Sequence, residues 1–183
     1  MRSVITGVAG VGKTTVLDIV SRQTGINMVN YGTLMFELAK KRGLVDNRDQ
    51  MRKLSRDIQI DLQKNAAMEI GKMDNVIVDT HMSIKTPFGY LPGLPEWVLR
   101  EINASIFIIV EADPELILSR RRNDPTRARD EDSIESIREH QEINRAFAAA
   151  YSVFSGATVK IVTNEEGKPD KAAQDIIKVI TVD

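Results

Sequence analysis

The segment Gly7-Val8-Ala9-Gly10-Val11-Gly12-Lys13-Thr14 constrains the fold of this chain more than any other stretch. Its glycines open backbone conformations closed to other residues, so no regular helix or strand runs through it. An apolar, β-branched run at residues 3–6 leads in, and Val16, Ile19 and Val20 lead out at helical spacing. A strand that turns through such a loop into a helix aims successive N–H groups, and the positive end of the helix dipole, at one point. That is a seat for phosphate. The spacing G-x-x-x-x-G-K-[ST] adds a lysine, Lys13, to meet the β- and γ-phosphates and a hydroxyl, Thr14, to coordinate Mg²⁺.

The other apolar runs, 27–30, 76–79, 106–110 and 158–162, alternate with helical patterns, the signature of βα units and a parallel sheet. Ile106-Phe107-Ile108-Ile109-Val110 is continuously apolar, as expected of a strand covered on both faces. Ile58, Leu62, Ala66, Ile70 and Met73 recur at three- and four-residue steps and mark one helix face. Ala173, Ile176, Ile177 and Ile180 mark another. Asp113-Pro114 reads as an N-cap followed by proline at the first helical position. The expectation is one doubly wound α/β domain over residues 1–183, with five strands and about six or seven helices.

A chain of 183 residues, 42% hydrophobic and 28% charged, is long enough to bury a sizeable core. Its formal charge of -1 gives no general attraction to nucleic acid or membrane, so any positive potential is local. The absence of cysteine excludes disulfides, thiolate metal sites and cysteine nucleophiles. No apolar run approaches the roughly 18 residues of a membrane span, and the N-terminus reads as a strand rather than a secretory signal. A soluble, cytoplasmic protein is expected.

Two segments interrupt the βα pattern. Residues 86–95 hold three prolines and two glycines and are expected to form a structured loop. Residues 120–129 hold five arginines, interrupted by Asp124-Pro125. Both follow strand ends or the helix beyond, the side on which such sheets bind ligands. Arginine forks match the oxygens of a transferring phosphoryl group, and Arg120, Arg127 and Arg129 suit that role. Arg121 and Arg122 read as surface charge. The chain lacks the Asn-Lys-x-Asp segment with which a GTPase reads its base. A kinase must instead exclude water from the γ-phosphate, which calls for arginine-bearing segments of this kind.

Asp79 ends an apolar strand, where a carboxylate can hold a Mg²⁺-bound water beside the phosphate loop. His81 reads equally as a loop histidine bonded to backbone and as a substrate contact. His140, between Glu139 and Glu142 on a polar helix, reads as surface. Trp97 is expected to pack a loop on the core. Phe147 and Tyr151 suit either the core or a subunit interface.

With residues 7–15, four further stretches resemble the adenylate kinases of the archaeal type. These are Val29-Asn30-Tyr31-Gly32, Arg48-Asp49-Gln50-Met51-Arg52-Lys53-Leu54, Asp79-Thr80-His81 leading into residues 85–95, and Asn123-Asp124 running to Arg127-Ala128-Arg129-Asp130. Thr-Pro-x-Gly-Tyr-Leu-Pro-Gly-Leu-Pro and Arg-Asp-x-Met-Arg-Lys-Leu are the most specific of them, and the likeness runs on through Gly156-Ala157-Thr158-Val159-Lys160, so it spans essentially the whole chain. The resemblance implies phosphate transfer between ATP and AMP with Mg²⁺, a P-loop fold with a five-stranded parallel sheet, and a homotrimer. It implies an AMP-binding helical segment at about 31–73 and a short lid at about 120–132. ATP would be held by Gly7, Val8, Ala9, Gly10, Val11, Gly12, Lys13, Thr14 and Thr15, and AMP by Gly32, Thr33, Arg48, Arg52, Asp79, His81 and Lys85. Arg127 and Arg129 would close with the lid, a motion for which this family is a standing example. Bacterial-type members carry an arginine where this chain has Phe36, and a Gly-x-Pro-Arg motif that Asp79-Thr80-His81 and Lys85 replace. The alternatives are a small P-loop kinase for UMP, CMP or a metabolite hydroxyl, or an NTP-dependent switch.

Overall fold

The computed structural model describes residues 1–124 and 133–181. In chain order the elements are β1 (Arg2–Thr6), α1 (Lys13–Thr24), β2 (Asn27–Asn30), α2 (Tyr31–Lys41), α3 (Arg48–Met51) and α4 (Arg56–Gly71). There follow β3 (Val76–Asp79), β4 (Ser83–Thr86), β5 (Gly89–Pro92), α5 (Glu96–Ile102) and β6 (Ile106–Glu111). The chain ends with α6 (Pro114–Arg122), α7 (Ile134–Ser155), β7 (Thr158–Thr163) and α8 (Pro169–Ile180).

Five strands form a parallel sheet in the order β2-β3-β1-β6-β7. Strand side chains alternate between faces, and the alternation sorts the core into two layers. Ile5, Ile77, Ile108 and Val110 pack with Val16, Leu17 and Val20 of α1, Ile117 of α6 and Ala173 and Ile176 of α8. Val4, Val76, Val78, Phe107 and Ile109 pack on the opposite face with Ala66 and Ile70 of α4, Val98 of α5 and Tyr151 of α7. From β1 the chain crosses to β2 toward one edge of the sheet and from β6 to β7 toward the other, and such sheets bind ligands at the carboxyl ends of their strands. The expected five-stranded doubly wound architecture is therefore present.

Three expectations change. Eight helices, not six or seven, occur among the described residues; the four-residue α3 lacks a periodic signal. The stretch expected as a loop at 86–95 contains β5, which pairs antiparallel with β4, Ser83 opposite Pro92 and Thr86 opposite Gly89. Proline is tolerated there because a two-stranded ribbon leaves N–H positions that need no partner. At the base of the hairpin Gly93 is required by space. A Cβ at that position would lie 1.9 Å from the His81 carbonyl oxygen.

On α7 one of two open readings is realised, and Trp97 supplies the third change. Tyr151 is buried, and Phe147 packs against the same cluster. The Tyr151 ring lies 6.0 Å from Phe107 and 5.8 Å from Phe147. Its hydroxyl donates to Met82 O at 2.9 Å and accepts from Leu94 N at 3.3 Å, clasping both ends of the hairpin. Burial pushes this phenol up to about 12. These two residues are core. Trp97 lies on α5 rather than in a loop, and its Nε1 donates to Gln63 Oε1 of α4 at 3.0 Å.

Helices α2, α3 and α4 carry a small core of their own, Ala39, Val45 and Leu62 with Phe36, Met51, Leu54 and Ile58 around it. Each of the three is capped at its N-terminus by a side chain, Asn30, Asn47 and Ser55 respectively. They form a helical insert between β2 and β3.

Candidate active site

The phosphate loop joins β1 to α1, as its sequence requires. Gly10 and Gly12 take φ of +85° and +86°, the left-handed region that suits glycine. The Val11 carbonyl accepts from Asn164 Nδ2 at 2.9 Å and from Arg120 Nη1 at 3.0 Å. A peptide whose oxygen is held on one side presents its N–H, here that of Gly12, on the other. Two side chains thus hold the loop in the shape that receives phosphate. Asn164 was not found from sequence. Its position just past the end of β7 was the available signal, since strand carboxyl ends line such sites.

Lys13 begins α1, and its ammonium contacts Asp79 Oδ1 and lies 3.3 Å from the Thr80 carbonyl. Asp79 Oδ2 accepts from Asn30 Nδ2 at 2.9 Å. Asn30 in turn caps α2, its Oδ1 accepting from Thr33 N at 2.9 Å and Thr33 Oγ1 at 3.0 Å. Arg48 donates to Thr33 Oγ1. A continuous chain of hydrogen bonds therefore runs from the helical insert to the phosphate-loop lysine.

Thr14 and Thr15 are exposed at the start of α1, and Gly32 is exposed on α2. Arg48 and Arg52 fall at the two ends of α3. The Arg48 guanidinium also lies 5.7 Å over the Phe36 ring, while Arg52 is exposed. Arg127 and Arg129 lie outside the described residues.

A cavity of about 440 Å³ opens beside the first half of the phosphate loop, lined by residues from Thr6 to Ala9. His81 and Lys85 also line it, and the Lys85 Nζ donates to Ser136 Oγ at 2.5 Å. Two residues assigned to the surface line it as well. Arg121 is half-buried, and its Nε donates to Ala9 O at 2.7 Å. His140 is half-buried, with its ring 5.1 Å from that of Tyr90. Local pattern misplaced both, because their partners lie in other segments. Arg122 is exposed, as expected.

The helix that carries His140 is fixed to the end of β6 on two sides. Gln141 exchanges hydrogen bonds with the Ala112 backbone at 3.1 and 3.0 Å, and Arg145 grips Glu111 with two bonds at 2.7 and 2.5 Å. Among the described residues no three His, Cys, Asp or Glu side chains gather as a metal cage. Thr14 and Asp79 are hard oxygen donors, which suits an ion held mainly by phosphates and water. Among these residues no helix is long and apolar enough to cross a membrane.

Comparison with known proteins agrees with this architecture. The family model of the AAA domain matches residues 6–138. The chain is 90% identical over 183 residues to the adenylate kinase of Thermoplasma acidophilum, covering 100% of both. It is 77% identical over 180 residues to that of Thermoplasma volcanium, covering 98% of this chain and 99% of the other. With that of Methanocaldococcus jannaschii it shares 50% identity over 185 residues, covering 97% and 96%. Among solved structures, the shikimate kinase of Bacteroides thetaiotaomicron superposes with a TM-score of 0.64 at 13% identity, covering 100% of this chain and 99% of that one. The shikimate kinase of Acinetobacter baumannii gives 0.64 at 18%, covering 98% and 92%. These two likenesses speak for the fold alone. With the phosphate loop at the carboxyl end of β1 and full-length identity of this order, the chain belongs to the adenylate kinase family.

Proposed function

We propose that this protein transfers the γ-phosphoryl group of ATP to AMP, reversibly and with Mg²⁺, giving two molecules of ADP. The full-length identity to adenylate kinases carries the reading. An oxygen of the AMP phosphate attacks the γ-phosphorus as its bond to the β,γ-bridging oxygen breaks. AMP's phosphate is already largely dianionic at pH 7, its second pKa being near 6. No general base is needed, only alignment and neutralisation of charge.

The N–H groups of residues 7–15 would hold the ATP phosphates, with Lys13 on the β- and γ-oxygens. Lys13 must leave Asp79 to do so, which frees the carboxylate. Thr14, and Asp79 through water, would hold Mg²⁺, which neutralises phosphate charge when bound. Arg120, already against the loop, and Arg127 and Arg129 would meet the transferring group. Gly32, Thr33, Arg48, Arg52, His81 and Lys85 would hold AMP, with the helical insert at about 31–73 and the lid at about 120–132 flanking the site.

We further assign the reaction to the cytoplasm and the protein to a homotrimer. The exposed Val153 and Phe154 at the end of α7, and Val159 and Ile161 on the edge strand β7, support a contact between copies. Light scattering on the purified protein tests the trimer. The activity is tested by mixing ATP and Mg²⁺ with AMP, UMP or CMP in turn and measuring ADP. AMP turnover no faster than hydrolysis by water refutes the reading.

A further inference from the structure

The cavity beside the phosphate loop has a consistent electrostatic character. Among its described lining residues are Lys85, Arg121, His81 and His140, and no carboxylate. These basic side chains come from β4, α6, the segment after β3 and α7, four parts of the chain brought to one place. The wall they share is the phosphate loop itself, from Gly7 to Ala9. Ser136 sits one helical turn before His140 and faces the same way. Such a cluster of two cations, two imidazoles and hydroxyls suits a phosphate next to the donor's.

We propose that His140 is a ligand of the acceptor phosphate and takes up a proton as AMP binds. The assignment takes AMP as the acceptor, as proposed above. The Ser83 backbone, which favours the protonated ring, draws an N–H of His140 toward itself. In the neutral ring the other nitrogen is then a bare acceptor, which a phosphate dianion repels. Protonation turns it into a donor with positive charge. Binding and proton uptake are therefore one event.

The surroundings set the sign. Burial lowers the pKa of His140 in the free protein; the Ser83 bond offsets part of this, and Arg121, Lys85 and His81 lower it further. The ring of Tyr90 from β5 lies tilted against that of His140 at 53°. On its own helix the charge of Glu139 bears on Tyr90, and that of Glu142 on Arg145. A dianion among these cations reverses their effect and favours the imidazolium. Between the free and bound pKa values AMP binding takes up a proton, so KM for AMP rises with pH across that window. AMP's own ionisation is common to all variants and cancels in comparisons.

Steady-state kinetics at saturating Mg·ATP, from pH 6.5 to 8.5, compare wild type with His140→Ala, His140→Gln and His140→Arg. A thermal midpoint is recorded for each. At pH 6.5 the Ala and Gln variants are expected to raise KM for AMP roughly tenfold, the loss of one charge-assisted hydrogen bond, with KM for ATP little changed. They lose the wild-type pH slope, and His140→Arg keeps a low KM at every pH. Calorimetric titration with AMP in buffers of different ionisation enthalpy shows proton uptake for wild type and less for His140→Gln. If KM for AMP and its slope in His140→Gln match wild type, the ring only packs and the assignment is overturned. Parallel changes in both KM values and the thermal midpoint, unrescued by arginine, overturn it too. Wild type that turns over AMP no faster than water refutes the acceptor itself, and this assignment with it.

Discussion

Asp79→Asn separates two roles of one carboxylate because they carry opposite signs. In the free protein Asp79 engages Lys13, the residue proposed to meet the donor phosphates, and the two side chains are only 23% and 15% exposed. A hydrogen bond to a charged group contributes about 1.5–3 kcal/mol. Partial exposure, and the neutral oxygen that asparagine still offers, reduce what is lost to about 1 kcal/mol. Releasing Lys13 in advance should therefore tighten the binding of metal-free ATP roughly fivefold, since 1.4 kcal/mol is a factor of ten. With Mg²⁺ and AMP the sign inverts. The carboxylate that would orient a metal-bound water is gone, and kcat should fall about 10- to 100-fold. Isothermal titration with ATP in EDTA measures the first effect, and a coupled ADP assay across Mg²⁺ concentration the second. No single-proton limb in kcat should belong to this residue. Weaker metal-free binding refutes the competition for Lys13. A single-proton limb present in wild type and absent in Asp79→Asn refutes the phosphate acceptor and favours a hydroxyl.

Four further outcomes can be measured. Arg127→Lys or Arg129→Lys should lower kcat at least about tenfold, because a point charge does not replace a bidentate fork; wild-type rates would show both to be surface charge. Asn164→Ala removes one of two donors to the Val11 carbonyl, so KM for ATP should rise several-fold while urea unfolding shows a loss near ~1 kcal/mol; an unchanged KM would mean that Arg120 alone shapes the loop. Gly93→Ala drives a methyl into the His81 carbonyl and should cost about 1–3 kcal/mol by overpacking, with weaker AMP binding as the hairpin shifts; wild-type stability would refute the close approach. Because burial lowers the His140 pKa, the unfolded chain binds more protons below about pH 6.5, so its stability contribution is full above that pH and lost as pH falls. The thermal midpoint of His140→Gln should accordingly fall less than that of wild type between pH 7 and 5 (both on the ordinary histidine scale).

The donor half was legible because its determinants are local. Glycine spacing, a preceding β-branched run and a following helical stripe all lie within 20 residues of the N-terminus, and the backbone itself does the binding. The central strands were legible for a related reason. Burial on both faces forces continuous apolar runs, and Ile106–Glu111 has all six residues buried. Prolines hid the hairpin after β3, since they are common in loops and tolerated at edges alike. Arg121 and His140 defeated local reading more completely. Each sits in a charged stretch that normally marks solvent, and only the packing of α6, α7 and the hairpin turns these side chains toward the phosphate loop.

The proposed acceptor half shows why some sites stay illegible even when every member is conspicuous. Residues 48, 33, 30, 79 and 13 form one hydrogen-bonded chain, yet no periodicity relates their positions. What joins them is topology. β2 lies beside β3 and β3 beside β1, so the residues leaving three adjacent strands meet at one edge. The departure at Phe36 takes on a physical meaning in that setting. Bacterial-type relatives place an arginine there on α2, whereas here an aromatic ring lies beneath the guanidinium of Arg48 from α3. A ring face attracts a cation and fixes where it sits, so the positive charge is kept on this side of the site while its source moves one helix along the chain. Phe36→Ala should therefore weaken AMP binding with Arg48 intact, and a KM for AMP that does not change would show the ring to be packing for the insert alone.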